Sequence, residues 1–215
     1  MALTTIEIPP RSRLHYLEPA GVGTPYIESL SSYFRRLAQS HHVSTANLYK
    51  REVASLLQKI RTDHKRGPHP YSRHIQISIG VINGSFRVTA AWVQVLEALT
   101  KRSDLRLLTA LPIGNAVSPR CMMKGAMAWC SSCYDEWLGS SRTVYTPLLW
   151  TFNAVEVCPR HKQPLEQICP HCKRSQTLLS SMTRPGYCSR CYGNLCSNSE
   201  NKRLIFNAES RWKQN

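Results

Sequence analysis

Apolar residues recur at helical spacing through the first half of the chain. Leu30, Tyr33, Phe34, Leu37 and Ala38 follow i, i+3, i+4, i+7, i+8. That stripe predicts an amphipathic helix over about Glu28 to Ser40. Glu28 then falls in the first turn, where the helix dipole favours a negative charge, and Arg35 and Arg36 near the last. His41-His42-Val43 reads as a short connection, and Ser44 as the N-cap of a second helix through about Lys50. Val53, Leu56, Leu57 and Ile60 mark a third helical segment. Short helices joined by short turns predict a helix-turn-helix.

The pattern changes after Arg61. Lys65-Arg66-Gly67-Pro68-His69-Pro70 is a basic, proline-punctuated linker. Ile75, Ile77, Ile79 and Val81 then alternate with polar or small residues, which is strand period. Asn83-Gly84 is a two-residue hairpin signal, with Phe86 and Val88 returning. Helical spacing resumes with Trp92, Val93, Leu96 and Leu99 behind Thr89 as cap, then with Leu105, Leu108 and Leu111 behind Ser103. From Tyr145 to Val157 apolar residues alternate again and predict a strand pair, with Trp150, Phe152 and Trp137 packed as core.

Residues 1–24 lack periodicity. Pro9-Pro10 and Gly21-Val22-Gly23 discourage helix, so this is read as an extended basic arm carrying Arg11 and Arg13. The expected organisation is that arm, a helical domain over 25–118 with a small hairpin at 71–88, a tandem zinc-binding domain over 119–196, and a basic tail over 197–215. The fold class is α+β: a helix-turn-helix N-terminal half followed by two zinc-ribbon or zinc-knuckle modules.

Charge adds a partner. The formal net charge is +15 over 215 residues, and basic residues exceed acidic ones in every third of the chain. Such an excess predicts a polyanionic partner, nucleic acid ahead of a membrane surface. The candidate contacts are Arg11, Arg13, Asn47, Lys50, Arg51, Lys65 and Arg66. For Asn47, Lys50 and Arg51 the competing reading is a solvated face of a helical bundle. No apolar run approaches the ~20 residues of a membrane helix. The N-terminus MALTTIEIPPR lacks a signal-peptide pattern, so a reducing, cytoplasmic setting is expected.

The cysteines carry the chemistry. They read Cys130-x-x-Cys133, Cys158-x-x-His161, Cys169-x-x-Cys172 and Cys188-x-x-Cys191. Two residues between ligands let one tight turn aim both side chains at one ion, and eight ligands fill two tetrahedral zinc sites. Sequential pairing gives Cys130, Cys133, Cys158 and His161 as one site and Cys169, Cys172, Cys188 and Cys191 as the other. A crossed pairing, first knuckle with third and second with fourth, is the alternative. Cys121 and Cys196 are left as free thiols, and His171 reads as exposed. Two structural Zn(II) ions per chain would lower the net charge to about +12. A catalytic zinc keeps one position open, and these are filled. With no deaminase pattern, phosphate loop or nucleophile elbow, no enzymatic activity is expected.

In that order the motifs resemble the TniQ family. The matching positions are Glu28-Ser29-Leu30, Ser32 and Arg36-Leu37-Ala38 in the helical half. In the zinc half they are Cys130-Ser131-Ser132-Cys133, Trp150, Cys158-Pro159-Arg160-His161, Leu165, Cys169-Pro170-His171-Cys172 and Cys188-Ser189-Arg190-Cys191. The resemblance covers roughly residues 25–195. Pro147 departs from it, standing where a basic residue is expected. The resemblance implies a bacterial transposition adaptor acting at the nucleoid, one that links a target-recognition module to an AAA+ ATPase regulator, TnsC. The short chain looks like the members found in CRISPR-associated transposons, which implies an RNA-guided Cas effector, target DNA and guide RNA as partners. TnsD-like members, which recognise a DNA site themselves, are the alternative, and a zinc-ribbon transcription regulator is a third reading.

Overall fold

The computed structural model describes residues 11–63, 82–118, 122–180 and 184–196. Helix α1 spans Leu30–Ser40, and its predicted stripe is buried throughout. Ser29 is the N-cap, its hydroxyl accepting from the Ser32 amide at 3.3 Å. The helix ends where His42 takes a left-handed φ of 54°. The His42 amide returns to the Gln39 carbonyl and the Val43 amide to that of Ala38. This is a Schellman ending, with histidine in the place glycine usually takes. Glu28 therefore lies before the helix rather than in its first turn, and its role is different, as shown below.

Ser44 caps the next helix as expected, accepting from the Asn47 amide at 3.1 Å. The backbone then stays helical through α2 (Thr45–Leu48), a π-helical segment (Tyr49–Val53) and α3 (Ala54–Asp63). The two short helices predicted here form one rod. No glycine or proline interrupts residues 45–63, so nothing in the sequence breaks it.

The expected ribbon at 71–88 is corrected on its described side. Residues up to Val81, with Lys65, Arg66 and the predicted first strand, lie outside the described residues. Asn83-Gly84 lies in a turn, but Phe86 and Val88 do not return as a strand. Helix α4 begins at once, Arg87–Thr100, with Phe86 rather than Thr89 at its N-cap. Asn83 is buried because it completes α1: its Oδ1 accepts from the Ser31 amide at 2.8 Å, and its Nδ2 donates to the Ser31 hydroxyl at 2.9 Å. A polar side chain that satisfies an orphan helix amide is spent on capping, not on a hairpin.

Trp92 of α4 meets Phe34 edge-on at 5.3 Å and stacks on Tyr49 at 5.6 Å. Leu105 and Leu108 enter the same core from a 3-10 turn, Leu105–Leu108, led by Asp104 rather than Ser103. The arm docks on this core. Leu14 is buried and its amide donates to the Leu99 carbonyl at 2.9 Å, while Arg13 pairs with Glu52.

Among the described residues of the second half there is one α-helix, α5 (Ser131–Gly139), with a core around Trp129, Tyr134, Trp137 and Trp150. The α+β expectation is not met: among the described residues, β pairing is limited to isolated antiparallel bridges. The predicted strand pair over 145–157 is instead a 3-10 turn, Leu148–Thr151. Its flanks spend their backbone bonds on other segments, since the Leu148 amide donates to Ile27 and the Asn153 amide to Met122. Trp150 and Trp137 do pack as core.

The two halves meet where residues 27–35 lie against 144–148. Ser29 donates twice to the Thr146 carbonyl, and the Thr146 amide donates to the Ser32 hydroxyl at 2.9 Å. Arg35 crosses the junction fully buried, reaching Thr146 Oγ1 at 2.7 Å and Met127 Sδ.

Candidate metal centres

Three of the four ligand pairs share one local design. In each, the amide of the first cysteine donates to the carbonyl five residues on: Cys158 to Gln163, Cys169 to Arg174, Cys188 to Gly193. In each, the residue after the second ligand has its amide on the first cysteine's carbonyl and a left-handed φ: Lys162 at 55°, Lys173 at 56°, Tyr192 at 59°. A short antiparallel bridge closes each loop, as Val157 with Pro164, Ile168 with Ser175 and Tyr187 with Asn194. The fourth pair is built differently. Cys130 is the N-cap of α5 and Cys133 lies in its first turn. The Cys130 thiolate is favoured there by the helix dipole and the free Cys133 amide.

These pairs converge sequentially. Cys130, Cys133, Cys158 and His161 have ligand atoms within 4.8 Å of one another, and so do Cys169, Cys172, Cys188 and Cys191. The crossed alternative is not what the fold brings together. Tetrahedral zinc with Zn–S near 2.3 Å and Zn–N near 2.05 Å requires S···S of about 3.8 Å and S···N of about 3.6 Å. Cys133 to Cys158, Cys169 to Cys191 and Cys172 to Cys188 measure 3.8, 3.7 and 3.7 Å. His161 Nδ1 lies 3.2 to 3.8 Å from the three sulfurs of its cluster. Two groups that can each hold a metal ion are thus present, and their spacing fits zinc.

Within each centre the thiols are shifted in opposite directions: Cys130 and Cys188 are lowered, whereas Cys133 is raised by the neighbouring thiols and burial, and Cys169 and Cys191 by burial and the neighbouring thiols. Interaction with the Cys133 thiol, then the Cys133 amide, holds Cys130 down to about 5. At Cys188 burial opposes ionisation, but the Cys191 and Arg190 amides outweigh it and bring the thiol to about 6. Two residues that sequence reading missed complete the first centre. Glu136 Oε1 lies 2.7 Å from His161 Nε2, so the ring's far nitrogen is held by a carboxylate while Nδ1 faces the cysteines. Gln163 donates to Cys130 Sγ at 3.2 Å and accepts from the Ser132 hydroxyl. Such partners fix a ligand's tautomer and orientation. Glu136's place one turn after Cys133 on α5 was the available signal.

Two links tie the centres into one body. Trp129 donates its indole N–H to the Leu195 carbonyl at 3.1 Å, and buried Gln176 accepts from the Ser189 amide at 3.0 Å while its own carbonyl accepts from Met127.

The remaining candidates are dispersed. His171 is exposed and faces the Asn194 carbonyl at 2.8 Å, outside the second cluster. Cys196 is a half-buried thiol, pushed up to about 12 by burial and by Asp135. Cys121 lies outside the described residues. Asn47, Lys50 and Arg51 are exposed on the second helical rod, Arg11 is exposed on the arm, and Arg13 faces solvent beside Glu52. The fold does not gather these into one site with the metal clusters.

Among curated proteins none matches the chain. The family model for TniQ matches residues 19–165. That span holds the last residues of the arm, α1 through α5 and the whole first centre, and stops before Cys169. The chain belongs to the TniQ family of transposition-associated proteins.

Proposed function

We propose that this protein is a non-enzymatic adaptor in transposition. It links an RNA-guided target-recognition complex to the AAA+ regulator TnsC, and so directs DNA integration. The family match over residues 19–165 carries this reading. The chemistry of the centres supports it: each cluster offers four protein ligands, so a bound tetrahedral ion has no position left for water or substrate. Zinc, held by Cys130, Cys133, Cys158 and His161 and by Cys169, Cys172, Cys188 and Cys191, supplies folding free energy rather than Lewis-acid chemistry.

Asn47, Lys50 and Arg51 are exposed on the helical rod that follows α1, and we assign them to phosphate contact. No helix among the described residues is long and apolar enough to cross a membrane. The test is co-purification of the zinc-loaded chain with TnsC, with and without DNA. Retention of TnsC is the expected result, and no binding in either condition would overturn the reading. A footprint at one sequence by the purified chain alone would replace it with a TnsD-like direct target selector.

A further inference from the structure

Beside the first centre lie two open hollows of about 290 and 340 Å³; Thr143 lines both, and we call them the lobes of one cleft. The first is walled by Tyr26, Trp137 and Tyr145, with Arg142 and Arg160 at its edge. The second opens between α1 and the second metal module, where Arg36 and Arg184 face it and Arg184 lies over the Tyr187 ring at 4.5 Å. Among the described residues, every ionisable side chain lining the cleft is thus an arginine, a tyrosine or the ligand Cys133, and none is a carboxylate. Arg160 is paired with Glu136 and Arg36 with buried Glu28, whereas Arg142 and Arg184 form no ion pair among the described residues.

From this juxtaposition of flat aromatic walls and unpaired guanidiniums, we propose that the cleft holds an unpaired segment of nucleic acid. Its phosphates lie along Arg142 and Arg184, and a splayed base enters the lobe walled by Tyr26 and Tyr145. The size selects the form of the ligand. Each lobe sits at the small end of ligand pockets, which run from about 300 Å³ upward. That suits one base, and a duplex keeps its bases stacked inside and has none to insert. Charge selects its class: phosphodiesters complement arginine, and stacking is indifferent to base identity, so recognition is of shape and charge rather than sequence. The assignment deepens the adaptor reading, because a guide RNA or a displaced DNA strand supplies such a segment. Its test nonetheless stands apart from TnsC binding.

The experiment is fluorescence anisotropy on the zinc-loaded chain with labelled eight-nucleotide oligouridylate, oligothymidylate, a duplex DNA and an oligoglutamate peptide. Single strands should bind and compete with one another, and the ratio of the first two affinities says whether RNA or DNA is preferred. Arg142→Ala with Arg184→Ala removes two exposed side chains and should lower the slope of log K against log salt by about 1.4. Tyr26→Leu should weaken binding at least about fivefold at unchanged salt slope, because it removes stacking and no charge. Arg87→Ala with Arg106→Ala removes equal charge from two exposed residues that line neither lobe and should change single-strand binding far less. The proposal is overturned if both arginine pairs have the same effect, if duplex binds as well as single strands, or if the acidic peptide displaces them. TnsC co-purification, run on the same variants, should be unaffected. Its loss in the unaltered chain bears on the adaptor reading alone.

Discussion

Replacing Glu28 tests the junction on which both halves depend. Its side chain is fully buried and its carboxylate accepts from the Ala20 amide at 3.1 Å, the Ser32 hydroxyl at 2.8 Å and the Arg36 guanidinium. One group therefore joins the arm and two turns of α1, immediately beside the Glu28–Pro147 bridge to the second half. Glu28→Ala leaves the Arg36 guanidinium, itself only 13% exposed, without its anion and orphans two further donors. Breaking a buried pair by removing one partner costs about 3–5 kcal/mol. With an m-value of about 2 kcal/mol/M in urea, the midpoint should fall by about 1.5–2.5 M with m unchanged.

Glu28→Gln separates charge from hydrogen bonding. Burial raises the Glu28 carboxyl above its ordinary value despite Arg36, so its charge is held at a cost. The amide keeps one acceptor, for Ala20 and Arg36, and turns its NH2 toward the Ser32 hydroxyl, which can accept, so without the cost of a buried charge it should recover part of the loss. The sign also fixes a pH trend. A carboxyl raised in the folded state stabilises when protonated, so this contribution is present below the ordinary carboxyl pKa and fades as pH rises through the raised one. A loss under about 1 kcal/mol for Glu28→Ala would refute the reasoning, since the orphaned donors would then be finding water.

Four further outcomes follow from the geometry. Glu136→Gln should weaken metal binding at the first centre about 10–100-fold in chelator competition and leave the second unchanged, because only His161 depends on it. Cys158→Ala and Cys188→Ala should each bind one metal per chain by elemental analysis, and the former should alter the near-UV circular dichroism more, because Trp137 shares α5 with the ligand Cys133 and stacks on Trp150. Gly21→Ala should cost more than about 1 kcal/mol, read as a lowered melting temperature, because φ is +69° and a Cβ would stand 2.4 Å from the Tyr26 carbonyl. His41 accepts from the His15 amide at 2.9 Å through Nε2, and burial, then His15, lowers its pKa. Its contribution should be complete above the ordinary histidine pKa and fall as pH drops from there toward the lowered value, and His41→Ala should flatten that part of the stability profile.

The sequence by itself determined the ligand pairs, the α1 stripe and the Ser44 cap, while only the fold chose sequential over crossed pairing. Each is a local pattern: two-residue spacing turns a pair of side chains toward one point, and 3.6-residue spacing makes a face. It also placed the family, because ligand order survives without knowledge of packing. Tertiary structure decided whatever depends on a distant partner. Asn83-Gly84 reads as a hairpin until Ser31, 52 residues away, claims the Asn83 side chain. Residues 145–157 alternate like a strand, yet Ile27 and Met122 take their backbone bonds. Glu28 suits a helix start by charge, but Arg36, Ala20 and Ser32 make it a buried anchor. Glu136, Gln163 and the arginine-lined cleft are invisible in one dimension for the same reason. Spacing reports which side chains share a turn or a face, whereas burial and long-range hydrogen bonds are set by which faces meet, and that is fixed only when the chain closes on itself.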